Sequence, residues 1–256
     1  MYRWPAIDRV AFATRQTSGA CCDVAADPQP APAQLNDSPE RAVDVILKRR
    51  SAQRFDPGYT MSDAAFQRLM DRLAASPAAP WDVWKFAPRI HPLLFVHRVK
   101  GLAPGLYVFP RSARAESELR AALKPGFLWR QQGRLFLLEQ GDCGRVAATV
   151  SCHQAIARDC CFSLGMLSEF EGLVRADPWR YRQLHWEAGL LGHVLYLQAE
   201  AAGLRGTGVG CCFDDVVHEL AGLRDLSFAS LYHFCAGRPL VDERIVTLPP
   251  YPERNL

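Results

Sequence analysis

The sequence predicts an α+β fold, in which helices flank a mixed or antiparallel sheet. Three observations support this prediction. Helical and strand-like segments alternate irregularly along the chain, unlike the regular alternation that gives a parallel α/β sheet. Two strand-like runs, at residues 93–99 and 106–109, are separated by a turn rich in glycine and proline, which predicts a β-hairpin. One long apolar stretch after residue 179 predicts a central helix.

The central helix carries two apolar stripes at steps of three and four residues, which is the helical period. Two adjacent stripes leave only a narrow polar strip, so the helix is expected to be buried on most sides. Gly189 and Gly192 lie inside it, and close approach of another backbone is a reason for glycine at such positions. Gly203 is expected to end the helix. The stripes are Ala188, Leu191, Leu195, Ala199, Ala202 and Leu190, Val194, Leu197, Ala201, Leu204.

The remaining elements follow from local patterns. Ser38 and Pro39 are expected to start a helix that ends near Arg50, and Ser62 is expected to cap a second one. Residues 206–210, of sequence GTGVG, are expected to form a loop that presents backbone N–H groups; a plain flexible turn is the alternative. Further helices are predicted at 116–123, 144–158 and 216–220, and further strands at 135–138, 160–167 and 228–236.

Composition is that of a soluble globular protein with a sizeable core. The chain has 256 residues, of which 49% are hydrophobic and 22% charged. A net charge of +3, from 30 basic and 27 acidic residues, is too balanced to favour nucleic acid as a partner. No run of eighteen apolar residues predicts a membrane span, and residues 1–16 lack the apolar core of a signal peptide. A cytoplasmic location is therefore expected.

The amino-terminal segment is expected to differ from the rest of the chain. Residues 1–38 are predicted to be irregular, with a proline-rich linker at 27–34. Residues 39–256 are predicted to form one domain.

The nine cysteines do not suggest a disulfide framework. Six of them form adjacent pairs, and no CxxC motif is present. Reduced and buried cysteines are the expected state. A zinc site from Cys143, Cys152, His153 and Cys160 is an alternative, although this spacing matches no common zinc motif. A cysteine-based redox or metal protein is thus a third functional class, behind the two described below.

Three places could carry chemistry. Arg49, Arg50 and Ser51 follow a predicted helix, and two guanidiniums with a hydroxyl suit a phosphate, although a solvated basic helix end is the alternative. The glycine-rich residues 206–212 match neither a P-loop nor GxGxxG. Basic residues around Arg238 and Arg244 follow the last predicted strand, and an ordinary basic loop is the alternative. No GxSxG or HExxH motif supports a hydrolase.

Four motifs, in this order, resemble those of the FMN-dependent nitroreductase superfamily, and most closely its azoline-dehydrogenase branch. The resemblance spans about residues 40–250. The motifs are RRSAQRF at 49–55, GLAPGLY at 101–107, YRQLHWEAG at 181–189 continuing to Gly203 and Leu204, and GVGCCFDD at 208–215 followed by LAGL at 220–223.

The resemblance implies a nitroreductase-like fold built as an intertwined homodimer, with FMN at the interface and reduced nicotinamide, NAD(P)H, as electron donor. A small organic molecule would accept the electrons, and no catalytic side chain would be required. Arg49, Arg50 and Ser51 would hold the FMN phosphate and ribityl chain, and Arg244 would add a phosphate contact. The other implied cofactor-binding residues are Gln53, Gly208, Gly210 and Cys211, of which Gly210 and Cys211 would present backbone N–H groups to the flavin N5 edge.

The sequence departs from the family pattern in three places. Gln53 stands where a basic residue is usual, His193 replaces a common glutamine, and residues 86–92 are shorter than the flavin-contacting segment of the azoline-dehydrogenase branch. The shortened segment and the proline-rich start also resemble the C-terminal half of a tandem-domain member. A flavin-free domain that pairs with a partner or with a second nitroreductase-like domain is the competing functional class.

Overall fold

Seven strands form one fully antiparallel sheet in the part of the chain that the computed structural model describes, which is residues 3–16, 40–74, 76 and 79–251. The predicted α+β class is therefore confirmed. The strand order is β3-β4-β2-β1-β5-β7-β6. The strands are β1 (Ile90–Val96), β2 (Gly105–Val108), β3 (Arg130–Gln132), β4 (Leu135–Gln140), β5 (Phe162–Glu169), β6 (Arg205–Val209) and β7 (Phe228–Gly237).

Helices cover both faces of this sheet. One hydrophobic cluster packs α3 and α8 against one face, and a second cluster packs α4, α5, α6 and α9 against the other. Every residue of β1, β2 and β5 is consequently buried. The helices are α1 (Pro5–Ala13), α2 (Ala42–Lys48), α3 (Asp63–Leu73), α4 (Ala113–Ala122), α5 (Gly144–Val150), α6 (Ile156–Asp159), α7 (Glu171–Ala176), α8 (Arg180–Ala201) and α9 (Asp214–Ala221), with a 3-10 turn at Trp81–Val83.

The predicted hairpin is formed by β1 and β2. The two strands pair antiparallel, with Leu93 opposite Val108 and Val96 opposite Gly105. Strand β1 begins three residues earlier than predicted, because Ile90 and His91 also pair with β5 on the other side. A continuous apolar run is the pattern of a strand covered on both faces, and β1 has this pattern.

The central helix, α8, is 22 residues long and buried on most sides, as predicted. Its exposed strip contains His185, Trp186, Gly189 and His193. The expectation that another backbone approaches closely is wrong for Gly192 and stays a prediction for Gly189. A Cβ at Gly192 would lie 3.0 Å from the Tyr232 ring, and a Cβ at Gly189 would point into open space.

Residues 206–209 form most of the edge strand β6, which corrects the prediction of a loop, and only Gly210 lies beyond the strand. Gly206 pairs with Ala236 and Gly208 with Phe234. A Cβ at Gly206 would lie 2.2 Å from the Phe234 ring, and one at Gly208 would lie 1.6 Å from the Tyr232 hydroxyl oxygen. These glycines therefore make room for aromatic rings of β7, and a strand without side chains gives no alternating pattern to detect.

Two other segments differ from expectation. Residues 5–13, predicted to be irregular, form α1, which Arg182 of α8 holds through hydrogen bonds to Thr14 Oγ1 (2.9 Å) and the Ala11 carbonyl (2.7 Å). The predicted helix at 144–158 is two helices, α5 and α6, separated by a turn. The helix start at Ser38 and the linker at 27–34 lie outside the described residues, and the single domain at 39–256 stays a prediction.

No helix in the described part of the chain combines the length and the apolar character that crossing a bilayer requires.

Candidate functional site

The RRS motif lies beside the edge strand β6. After α2, the chain runs along this edge, where the Ala52 N–H donates to the Gly206 carbonyl (3.2 Å) and Thr207 Oγ1 donates to the Ala52 carbonyl (2.6 Å). A cavity of about 200 Å³ opens here. Its walls come from the motif, from the start of β6 and from the C-terminal tail, which is residues 238–251 after β7. The residues are Arg50, Ser51, Ala52, Gln53, Arg205, Pro239, Leu240, Val241, Asp242, Ile245 and Thr247.

The two motif arginines have different surroundings. The Arg50 guanidinium donates to the carbonyls of Leu47 (3.0 Å) and Arg49 (2.8 Å), which is the contact expected of a basic helix end, and to the Leu248 carbonyl of the tail (3.3 Å). The Arg49 guanidinium lies over the Tyr196 ring, 5.0 Å from its centroid. Both charges are therefore held at one side of β6.

Tyr196 of α8 links the motif to the strand. Its hydroxyl accepts a hydrogen bond from the Gly208 N–H (2.7 Å) and lies 2.9 Å from Ser51 Oγ. If Tyr196 donates to Ser51, the Ser51 hydroxyl proton is available to an anionic ligand. The N–H of Gly208, a predicted cofactor contact, is already used. Sequence reasoning missed Tyr196 and Arg205, because neither belongs to a recognisable motif.

The remaining predicted contacts lie further along the same edge or on the tail. Gly210 and Cys211 follow β6 in an exposed segment, and no atom lies within 4 Å of the Cβ position at Gly210. Arg244 is not in the cavity wall. Its guanidinium forms two hydrogen bonds to Asp242, of 2.9 and 2.7 Å, and these bonds lower the pKa of that carboxyl. The structure thus places Arg50, Ser51 and Gln53 in the cavity wall and Arg49 over the Tyr196 ring, and it leaves Arg244 outside the wall.

Cys211 forms a disulfide with Cys152, and the two Cα atoms are 5.8 Å apart. The prediction of reduced, packing cysteines is wrong for this pair. The partners are 59 positions apart, and pairings of that kind cannot be deduced from spacing alone. The suggested zinc group is not assembled, since Cys152 is bonded elsewhere, and the described residues contain no group of three or more His, Cys, Asp or Glu that could hold a metal ion.

Comparison with known proteins gives the fold. No protein-family model and no curated protein matches this sequence. Solved structures do match. A protein of Anabaena variabilis named as a nitroreductase superposes with a TM-score of 0.62 at 21% identity, over 78% of this chain and 38% of its own. The chain has the nitroreductase fold.

Two further structures share this nitroreductase fold. A Ralstonia eutropha protein, also named as a nitroreductase, gives a TM-score of 0.54 at 15% identity, over 88% of this chain and 97% of its own. The Escherichia coli microcin synthetase McbBCD complex gives 0.54 at 16% identity, over 76% of this chain and 70% of the matched chain. The present chain spans only about two fifths of the length of the Anabaena protein.

A second and larger cavity, of about 780 Å³, lies at the opposite end of β5 and β7 in this nitroreductase fold. Phe170, Leu173 and Phe228 form part of its apolar wall. The Glu169 carboxylate, at the end of β5, accepts from Arg89 (2.6 Å), from Arg114 (2.5 Å) and from His91 Nε2 (3.1 Å). This carboxylate is therefore already neutralised by the protein itself.

Behind that cavity, the side chain of Glu187 is wholly buried and joins α8 to β1. Its carboxylate accepts from the backbone N–H groups of Arg89 and Ile90 and from the Arg111 guanidinium. Arg111 is also buried and donates to the carbonyls of Leu73 (2.7 Å) and Ile90 (3.2 Å). This network fixes the central helix against the sheet.

We expect Glu169 to make stability sensitive to acid. Burial alone would raise the pKa of Glu169, but the hydrogen bond and charge of His91 and the charge of Arg89 outweigh it and lower the pKa to about 2 from 4.5. A lowered pKa stabilises the fold above the unfolded value, and this stabilisation is lost as the pH falls from about 4.5 through about 2. Urea unfolding of Glu169→Gln should therefore depend less on pH across this window than unfolding of the wild type.

The matched control is Glu219→Gln, on the exposed side of α9. It should keep the wild-type pH dependence. An equal slope for wild type and Glu169→Gln would contradict the role assigned to this carboxylate.

Proposed function

We propose that the protein is an FMN-dependent oxidoreductase that passes electrons from NAD(P)H to a small organic acceptor. The observation that carries the proposal is the group formed by Arg49, Arg50, Arg205 and Ser51 beside β6, at the edge that continues into the exposed residues Gly210 and Cys211. The nitroreductase fold is compatible with it, and the Vibrio harveyi NADPH:FMN oxidoreductase (TM-score 0.50) shares that fold.

The residues present fit this cofactor. Guanidiniums and a hydroxyl are suited to a phosphate, since arginine forms charge-assisted, bidentate bonds to its oxygens. The cavity of about 200 Å³ is too small for a whole dinucleotide-sized ligand and suits a phosphate and a polyol chain. The open side of Gly210 leaves room for a flat ring, to which the backbone N–H groups of Gly210 and Cys211 could donate.

When bound, FMN supplies the two-electron chemistry. The protein's own part is then to hold the phosphate with Arg49, Arg50 and Ser51, and to orient the ring edge through backbone donors. Donor and acceptor would use the same face in turn. No acid–base pair near Ser51 or Gly210 is needed for this scheme. We place the protein in the cytoplasm as part of the same proposal.

The visible spectrum of the purified chain tests this function. The native protein should be yellow, should release FMN and not FAD on denaturation, and should lose its flavin absorbance when NADH or NADPH is added without oxygen. A colourless protein that also fails to bind added FMN would contradict the proposal and favour the flavin-free pairing domain.

A homodimer, or pairing with a second nitroreductase-like domain, is the assembly we propose. Apolar side chains are exposed on α2, on α8 and on the segment that follows β7. Their exposed fractions are 56% for Ile46, 54% for Trp186, 82% for Val246 and 74% for Leu248. Exposed apolar surface beyond what is usual for a monomer marks association surfaces, and these side chains support the proposed assembly.

Light scattering at micromolar concentration should show a dimer. The double variant Ile46→Asp with Val246→Asp should be a monomer, because association would remove the two new carboxylates from water. Leu226→Asp, exposed at the large cavity's end of the molecule, should leave the dimer intact. Only monomer for the wild type with flavin bound would contradict this assembly.

A further inference from the structure

The disulfide Cys152–Cys211 is accessible to solvent, whereas most of the unpaired cysteines in the described part of the chain are buried. Cys211 is exposed and Cys152 half-buried, whereas the unpaired Cys160, Cys161 and Cys235 are buried. Accessible disulfides are the ones that an external thiolate can attack, and they are more often labile or regulatory than structural. Exposure alone makes this bond a candidate for exchange.

The bond ties the segment after β6 to the turn between α5 and α6. Beside it, the Phe213 N–H donates to the Val150 carbonyl (2.9 Å), and the Phe213 ring meets the His153 ring edge-on, with centroids 5.4 Å apart. Among these contacts, the disulfide is the covalent one that holds residues 210–213 to the turn.

The turn itself has an unfavourable backbone conformation. Cys152 and His153 are consecutive non-glycine residues in the left-handed region, with φ of 55° and 57°. Such residues keep this conformation only where their surroundings hold it. Opening the covalent tie would let the turn relax, so the backbone favours release once the bond is broken.

The base of the turn is anchored independently. Ser151 Oγ lies 3.0 Å from His233 Nδ1, and His233 Nε2 lies 3.1 Å from Ser230 Oγ. Burial lowers the pKa of His233 to about 4, so the imidazole stays neutral and keeps both hydrogen bonds at neutral pH. Release at Cys152 should thus move residues 210–213 without unfolding α5.

The neighbouring thiol does not compete for the bond. Burial raises the pKa of the Cys212 thiol, and the Asp214 carboxylate acts in the same direction. Only a thiolate attacks a disulfide, so Cys212 is a poor nucleophile at neutral pH. The pairing of Cys152 with Cys211 is consequently not scrambled from within.

We propose that Cys152–Cys211 is a reversible thiol–disulfide exchange site, opened by a dithiol reductant, and that opening it releases residues 210–213. A thiolate of the reductant attacks Cys211 Sγ, the S–S bond breaks, and Cys152 leaves as a thiolate that takes up a proton. The second thiol of the reductant then attacks the mixed disulfide. Cys211 becomes a thiol, and the reductant leaves as a disulfide after giving up two electrons and two protons.

Opening the disulfide should also weaken cofactor binding, and this consequence rests on the proposed function. Gly210 and Cys211 carry the backbone N–H groups assigned to the flavin edge. The oxidised protein holds these donors in position, and the reduced protein would have to order them on binding. Pre-organised donors lower the entropic cost of binding, so the oxidised protein should bind FMN more tightly than the reduced protein.

Titration of the full chain with redox buffers of dithiothreitol tests the exchange without any flavin. After alkylation, peptide mass spectrometry should show Cys152 and Cys211 becoming free together, reversibly, while circular dichroism still reports the native fold. Hydrogen exchange at residues 210–213 should accelerate in the reduced protein. Labelling of either cysteine in the oxidised protein, or reduction only after unfolding, would overturn the proposal.

Two variants sharpen the test. Cys211→Ser should show the fast exchange at residues 210–213 without reductant, and Cys212→Ser should titrate like the wild type. FMN titration of the oxidised and reduced wild type should differ in Kd by about tenfold. If neither form binds FMN, the proposed function fails while the exchange result stands. If both forms bind FMN equally, the consequence for cofactor binding is refuted, and unchanged hydrogen exchange at residues 210–213 would refute the release itself.

Discussion

Replacing Glu187 by alanine is expected to lower the free energy of unfolding by about 3–5 kcal/mol. Its side chain and that of Arg111 are fully buried, so removing the carboxylate leaves a guanidinium unpaired away from water. The N–H of Arg89 would also lose its acceptor. Urea unfolding at neutral pH measures the loss directly.

An exposed ion pair provides the control. Glu118 bonds to Arg114 at 2.6 Å, but the two side chains are 42% and 49% exposed. Glu118→Ala should therefore cost less than about 1 kcal/mol. A loss for Glu187→Ala no larger than that for Glu118→Ala would contradict the burial of the network.

Replacing both buried charged side chains tests how much of the loss comes from leaving one charge without its partner. Arg111→Met with Glu187→Leu should recover part of the loss, because replacing both members of a buried pair by apolar groups is often close to neutral. Recovery should be incomplete, since the Leu73 and Ile90 carbonyls lose their donor. The coupling energy is the free-energy change of this double variant minus the sum of the changes for the single variants Arg111→Met and Glu187→Leu.

The sequence predicted the elements whose hydrophobic pattern is strong. The stripes of α8 and the apolar runs of β1 and β7 were recognisable because burial on most sides leaves a periodic or continuous apolar pattern. The strand β6 was missed because Gly206 and Gly208 carry no side chains. Helix α1 was missed because it lies on the surface, without a buried residue of its own.

The candidate site was only partly predictable. Arg49, Arg50 and Ser51 form a contiguous motif, so their proximity follows from the sequence. Tyr196 and Arg205 join them only through the packing of α8 and β6 in three dimensions. The disulfide partner of Cys211 lies 59 positions away, and the buried pair of Arg111 and Glu187 is equally remote in sequence. Contacts of that range leave no local pattern.

Replacing Arg49 or Arg50 by alanine is expected to weaken FMN binding at least about tenfold. Each change removes charge-assisted bonds to the phosphate worth about 1.5–3 kcal/mol. Stability of the cofactor-free protein should change little, because the other contacts of both side chains are partly exposed to solvent. Fluorescence titration of FMN and thermal unfolding of the cofactor-free variants measure the two quantities separately.

A control variant for these two arginines lies at the other end of α2. Arg41, exposed at the start of α2, carries the same charge but lies a whole helix away from the cavity, so Arg41→Ala should bind FMN like the wild type. Arg49→Lys should recover only part of the affinity, because lysine keeps the charge and lacks the planar fork. Equal FMN affinity in the wild type and in both alanine variants would place the phosphate elsewhere, and Arg205 would then be the cation to test.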